Sequence, residues 1–272
     1  VKVKDFLYWL FDRLTLPWCG SGPGGLLVRH LTYQRKRVVR REVEARLHAA
    51  GKYDDVVLRG PFAGMRYLPR ERYASCRFEK VVGAYEHELH VLLNEISVSK
   101  HYRTILNVGA AEGHYTVGLA RMFPTARVIS YEMTSYGRDY CTDLARLNGV
   151  TDQVEISGTC TPEILAKLSP VPPVLLVMDT DLGERTLLDP SAVPWLREAD
   201  ILVELHECLQ SGTNDLIRSR FEKSHRIRQV VNAGLEYAQY PELASLSFEE
   251  IYAMVGEDRL GLQDWYFMEP NQ

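Results

Sequence analysis

The chain has few cysteines, no long apolar run, no excess of positive charge, and no repeated or low-complexity segment. Each absence removes a class of protein. Cys19, Cys76, Cys141, Cys160 and Cys208 are scattered, odd in number and without a C-x-x-C pair, so neither a disulfide framework nor a zinc site is predicted. A reducing compartment, the cytoplasm, is therefore the expected location. No apolar stretch reaches the roughly 18 residues of a membrane span. The opening residues also lack the cationic, apolar and small-residue order of a signal peptide, so the expected protein is neither secreted nor membrane-spanning. A formal charge of -4 gives no general attraction to polyanions, and no stable nucleic-acid partner is expected. With 46% hydrophobic and 25% charged residues among 272, the composition is that of an ordinary globular chain. The length suits one α/β domain of about 200 residues with an appendage.

The dinucleotide fingerprint G-x-G-x-x-G is missing too, because Ala111 stands where its second glycine would admit a pyrophosphate. What is present is Thr104-Ile-Leu-Asn-Val-Gly-Ala-Ala-Glu-Gly-His-Tyr-Thr-Val-Gly-Leu-Ala120, followed by Ala126-Arg-Val-Ile-Ser-Tyr-Glu132. This reads as strand, glycine turn, helix, strand, acid. Glu132 ends the second strand, where a carboxylate can accept hydrogen bonds from both hydroxyls of a ribose. The G-x-x-x-G spacing, with Glu112 inside the turn, suits a nucleoside that carries a positive sulfonium and no phosphate. S-adenosyl-L-methionine has that chemistry.

At these residues the chain resembles the class I S-adenosylmethionine-dependent methyltransferases. Within them it is similar to the FkbM-like family through Asn107-Val-Gly-Ala-Ala-Glu-Gly-His-Tyr-Thr116, Met178-Asp-Thr-Asp-Leu-Gly-Glu184 and Val203-Glu-Leu-His-Glu207. The resemblance covers roughly residues 80 to 270. Asp181-Leu182 stands where that family commonly has Glu-Gly. The resemblance implies a Rossmann-like sheet of seven strands, mostly parallel, with helices on both faces and a last strand inserted antiparallel beside the sixth.

The alternation of patterns places strands at 103–108, 126–131, 153–157, 173–179, 199–205, about 226–232 and 263–268, with helical segments between most of them. Residues 1–80 are expected to form a helical and hairpin extension serving as a cover or an oligomer contact, and 81–272 the methyltransferase domain. In the extension, 4–14 carry one apolar helical stripe, 26–50 a second helix, and 51–75 two short strands forming a hairpin or cover. The basic residues Arg29, Arg35, Lys36, Arg37, Arg40 and Arg41 can grip a phosphate or an acidic carrier, but with Glu42 and Glu44 close by a solvated face is the preferred reading. Leu89, Leu92, Leu93 and Ile96 mark the buried face of a helix opened by Gly83-Ala-Tyr-Glu86, and His87 and His90 on it are read as surface histidines.

Open α/β sheets bind ligands beyond the carboxyl ends of their strands. The expected cofactor set is therefore Gly109, Ala110, Ala111, Glu112, Gly113 and Tyr115 at the turn, Glu132 on the ribose and Met133 against the adenine face. Asn107 or Glu112 is expected at the ammonium group, and the resemblance, in which the helix opened by Gly83 flanks the cofactor, implies Tyr85 and Glu86 at the methionine end. Family resemblance adds Thr159 and Cys160 at the adenine edge. Asp179 and Asp181 follow the fourth strand and can steady a sulfonium, act as a base or hold a cation; no metal is assigned. Glu204 and His206 share one face at the end of the fifth strand, with His206 the preferred general base and Glu204 its orienting partner. The expected function is O-methyl transfer to a hydroxylated small molecule, by resemblance a sugar, polyketide or related metabolite. The alternatives are an RNA ribose methyltransferase, for which no K-D-K-E set is apparent, and a non-catalytic scaffold.

Overall fold

The computed structural model describes residues 23–52, 54–231, 234–256, 261 and 263–271. The apolar stripe predicted at 4–14 lies outside them. Seven strands form one sheet: β1 Thr104–Val108, β2 Arg127–Tyr131, β3 Val154–Ser157, β4 Val174–Met178, β5 Asp200–Leu205, β6 His225–Val230 and β7 Asp264–Pro270. Their order is β3-β2-β1-β4-β5-β7-β6. All neighbours run parallel except β7, which is antiparallel to both β5 and β6.

The central strands are apolar on both sides because both sides are covered. Ile105, Leu175, Val177 and Leu202 point into one core, whereas Leu106, Val108, Leu176, Met178, Ile201 and Val203 point into the other. Helices supply the cover on each face. Taken along the chain they are α1 Pro23–Ala49, α2 Arg77–Val82, α3 His90–Ser99, α4 His114–Met122, α5 Ser135–Leu147, α6 Pro162–Lys167, α7 Glu184–Leu187, α8 Thr213–Phe221 and α9 Phe248–Met254. Among the described residues no helix is long and apolar enough to cross a membrane, and Cys76, Cys141, Cys160 and Cys208 are free.

The extension shares the first of these cores, to which Val43, Leu47, Phe62, Met65 and Tyr67 contribute alongside Val117 and Tyr140. Helix α1 lies against α9, where Arg35 pairs with Glu249, Arg46 with Glu250, and Arg40 Nε donates to the Ala253 carbonyl. Arg35 and Arg40 of the basic face are thus spent on docking. The two strands expected within 51–75 reduce to one antiparallel bridge, Val56 to Arg66, flanked by bonds from Val57 N to Met65 O and from Tyr67 N to Asp55 O. Pairing stops on the loop side because Leu58 N turns to the Val81 carbonyl, and on the other side Pro69 has no amide to donate. Leu89, Leu92, Leu93 and Ile96 are buried as predicted, while His87 and His90 bond the carbonyls of Gly234 and Tyr85.

From β1 the chain steps outward to β2 and β3, then crosses back to β4 on the other side of β1. Crossovers on opposite sides leave a crevice between the carboxyl ends of β1 and β4, the place where open α/β sheets bind ligands.

Candidate functional site

A cleft of about 510 Å³ occupies that crevice. It collects the ends of three neighbouring strands and their following loops: Gly109 and Ala111 after β1, Glu132 and Met133 after β2, Asp179 and Asp181 after β4. Thr159 and Cys160, beyond β3, close one side. Residues far apart in sequence that were expected to meet one ligand therefore share one wall. The volume is within the few hundred to about 1,000 Å³ of small-molecule sites.

The turn after β1 is held by its own amides. Gly109 N and Ala110 N both donate to the Tyr131 carbonyl at 3.0 Å, Gly113 N donates to Ala110 O at 2.8 Å, and Ala111 N donates to Glu132 at 2.9 Å. The expectation that the amides from Ala110 to Gly113 reach out to a ligand is thus corrected for Ala110, Ala111 and Gly113, because a turn this tight must satisfy its own donors. Gly109, at φ 86°, lies so close to β4 that an added Cβ would fall 1.6 Å from the Asp179 carbonyl oxygen. Glu132 receives two further bonds, from Thr134 N at 2.7 Å and Thr134 Oγ1 at 2.6 Å. Oε1 takes both Thr134 bonds and Oε2 takes the Ala111 amide, so the carboxylate is fixed at the cleft wall with about one acceptor site left, on Oε2. Met133 is 73% exposed at the rim, a flexible apolar surface on which a planar base can rest. Burial pushes the Cys160 thiol up to about 11, so it faces the cleft as a neutral group.

Behind Asp179 and Asp181 sits His206, buried, with four carboxylates around its ring. Its Nδ1 is 3.0 Å from Glu184 Oε1, and its Nε2 lies 3.6 Å from Asp179, 3.4 Å from Asp181 and 3.5 Å from Glu204. Two expectations change here. The imidazole does not line the cleft, because the 179–184 loop covers the end of β5. The residue that orients the ring through Nδ1 is Glu184, from α7, rather than Glu204. Burial alone would lower the pKa of His206, but the Glu184 bond and the charges of Asp179, Glu184 and Asp181 outweigh it and raise the value. Burial raises the pKa of Asp179, with Asp181 and Glu184 adding to the effect; the His206 charge and a hydrogen bond with Glu204 oppose it. Asp181 sits at φ 59°, so the chain has left the extended path, yet its carboxylate still turns to the imidazole. Ligand atoms of Asp179, Asp181 and His206 fall within 4.8 Å of one another.

Several predicted residues lie off the cleft. Asn107 is buried below it and donates to Thr116 Oγ1 at 2.9 Å, which serves the packing of α4 on β1. Glu112 turns toward the cover, where Ser75 N and Oγ donate to it and Lys80 Nζ stands 3.6 Å away. Tyr85, Glu86 and Tyr115 line a separate space of about 10 Å³ together with His114, room for about one water. The Tyr115 hydroxyl donates to Glu86, and the Tyr67 hydroxyl meets His114 Nδ1 at 2.7 Å. Burial raises the tyrosine pKa values and lowers that of His114. Arg59 and Lys80 line the same space, with Lys80 Nζ 4.7 Å from the centre of the Tyr85 ring, and none of these residues lines the larger cleft, so the reach of Tyr85 and Glu86 to the methionine end is not seen. Sequence reasoning did not single out Lys80, Thr134 or the contact of Glu184 with His206. Only Glu184 had a signal, its place in the motif after β4.

No protein-family model and no curated protein sequence matches the chain. Among solved structures it is similar to the O-methyltransferase TomG of Streptomyces achromogenes, with 16% identity, 70% of this chain and 82% of that one covered, and a TM-score of 0.47. It is also similar to the O-methyltransferase from Bacillus cereus, with 14% identity, 86% and 91% covered, and a TM-score of 0.45. A third is a geranyl diphosphate C-methyltransferase from Streptomyces coelicolor A3(2), with 14% identity, 73% and 84% covered, and a TM-score of 0.44.

Proposed function

We propose that the chain is an S-adenosyl-L-methionine-dependent O-methyltransferase that acts on a hydroxyl of a sugar, polyketide or related small metabolite. The observation that carries the reading is the single cleft in which the glycine turn, the ribose-type acid Glu132 and the carboxylate Asp179 converge. The donor set fits the cofactor: Glu132 for a ribose hydroxyl, Met133 for the adenine face, Thr159 and the neutral Cys160 for the adenine edge. A cluster of carboxylates beside the cleft favours a cation over a phosphate. When bound, S-adenosylmethionine supplies a methyl group on a positively charged sulfur. Asp179 then takes the proton of the acceptor hydroxyl as its oxygen attacks in line, and its raised pKa suits it to hold that proton. His206 stands behind Asp179 and Asp181 as a positioning residue whose positive charge tunes the carboxylate. The residues at 107–116, 178–184 and 203–207 support an FkbM-like reading, and the cysteine usage supports a cytoplasmic one.

Calorimetric titration with S-adenosylhomocysteine tests the cofactor half. Micromolar binding is expected in the wild type, weakened about tenfold or more in Glu132→Ala through loss of the charge-assisted ribose hydrogen bond and of the three bonds that hold the cleft wall. Equal affinity in the two proteins would remove Glu132 from the ribose, and NAD binding in place of the homocysteine ligand would overturn the reading. The acceptor half carries its own control, since the spacing of Asp179, Asp181 and His206 is one that a divalent cation accepts. EDTA is expected to leave methyl transfer unchanged. Activity lost to EDTA and restored by Mg²⁺ or Mn²⁺ would reassign those three residues to a metal.

A further inference from the structure

A second cleft, of about 420 Å³, opens between α1 and the segment that leads into α2, and it shares no lining residue with the first. Arg37, Arg40 and Arg41 reach it from α1; Arg70 and Arg77 reach it from the other wall. Three carboxylates, Glu44, Glu71 and Glu79, also line it, leaving two net positive charges in a chain whose formal charge is -4. Burial raises the pKa of Glu44, against the opposing charges of Arg77, Arg40 and Arg70.

Arg77 is the unusual member. Its side chain is only 4% exposed; Nη2 serves Asp55 and the Leu68 carbonyl, while Nε and Nη1 have no hydrogen-bond partner. Buried guanidinium donors left unpaired cost free energy, and a shift of the side chain away from the Tyr67 ring, 5.9 Å from its Cζ, would bring them to a bound anion that recovers it through charge-assisted bonds. Arg41 is exposed at the mouth, and Arg70 has only a 3.5 Å contact to its neighbour Glu71, so both can turn toward a ligand at little cost. Arg37 lies over the rings of Tyr33 and Tyr73, which leaves its planar group braced at the rim. Arginine is the side chain whose geometry best matches phosphate oxygens.

We propose that this second cleft binds a phosphate-bearing small molecule, with Arg77 at its base and Arg41 and Arg70 closing on the phosphate from either side. Ser75, inside the segment from Tyr73 to Arg77, holds Glu112 of the glycine turn through both its amide and its hydroxyl. The site stands independently of methyl transfer.

The test is calorimetric titration of the whole chain with inorganic phosphate and, separately, pyrophosphate, at constant ionic strength set by sodium chloride. Saturable binding at one site is expected, weakened about tenfold or more in the double variant Arg41→Gln/Arg70→Gln, because each arginine loses a charge-assisted bond. These two exposed side chains make no contact that holds the fold, so the variant should keep the wild-type melting temperature and affinity for S-adenosylhomocysteine. Arg77→Lys keeps the charge but loses the planar group, and should also weaken phosphate. Absence of saturable binding by either anion in the wild type, or equal binding in the double variant, would overturn the proposal.

Discussion

Asp179→Asn is expected to lower methyl transfer by about 10²- to 10⁴-fold, the range for removing a positioned general base. Affinity for S-adenosylhomocysteine, which lacks the sulfonium charge, should change only a few-fold, so the loss appears in kcat rather than in cofactor binding. The pH profile separates this role from a structural one. Asp179 works as a base only when ionised, and its pKa is raised, so the rate should climb with pH through a midpoint above the ordinary carboxylate range. His206⁺ is one of the groups that hold this pKa down. His206→Gln removes that charge, so the acid limb should move to still higher pH while the plateau falls less than in Asp179→Asn. The measured midpoints belong to the coupled cluster rather than to either residue alone. A His206→Gln enzyme with the wild-type profile would sever the imidazole from the chemistry. An Asp179→Asn enzyme with full turnover would remove the proposed base.

Gly109→Ala is the second large effect. An added methyl would stand 1.6 Å from the Asp179 carbonyl oxygen and 2.7 Å from its carbonyl carbon, both backbone atoms, so β1 and β4 would have to part at the cleft itself. With φ at 86° there is a second penalty for any L side chain. Together these amount to about 2–5 kcal/mol of stability, and the displaced strand ends should abolish binding of S-adenosylhomocysteine. Gly149→Ala is the matched comparison, since Gly149 has φ 69° but nothing within 4 Å of the added atom. Only the conformational cost of about 1–2 kcal/mol is expected there, with binding intact. Denaturant midpoints and calorimetry on both variants give the answer. Similar losses in the two would show that backbone conformation, not the contact with β4, is what Gly109 provides.

The sheet was legible in the sequence because short apolar runs between turn residues are local signals. The predicted limits at 103–108 and 173–179 differ from β1 and β4 by a residue at one or both ends. Glu132 at the cleft was equally legible, since a strand end fixes where the next residue must lie. The pair expected at 51–75 was less so: its alternation is genuine, but the bond from Leu58 N to Val81 and the missing amide of Pro69 leave room for one bridge. His206 was expected to face the cleft from the end of β5, and it lies buried behind Asp179 and Asp181. Face follows from the period of two along a strand, whereas depth depends on a loop from another part of the chain.

By itself, then, the sequence determined the strands, the glycine turn and the acids that follow them, all consequences of backbone geometry acting over a few residues. Tertiary structure alone decided that Glu184 rather than Glu204 orients His206, that Glu112 faces Lys80 instead of the cleft, and that Arg70 and Arg77 join the arginines of α1 around a second cleft. The reason is physical: a contact between side chains on separate elements depends on the order, tilt and depth at which those elements pack, and no local periodicity carries that information.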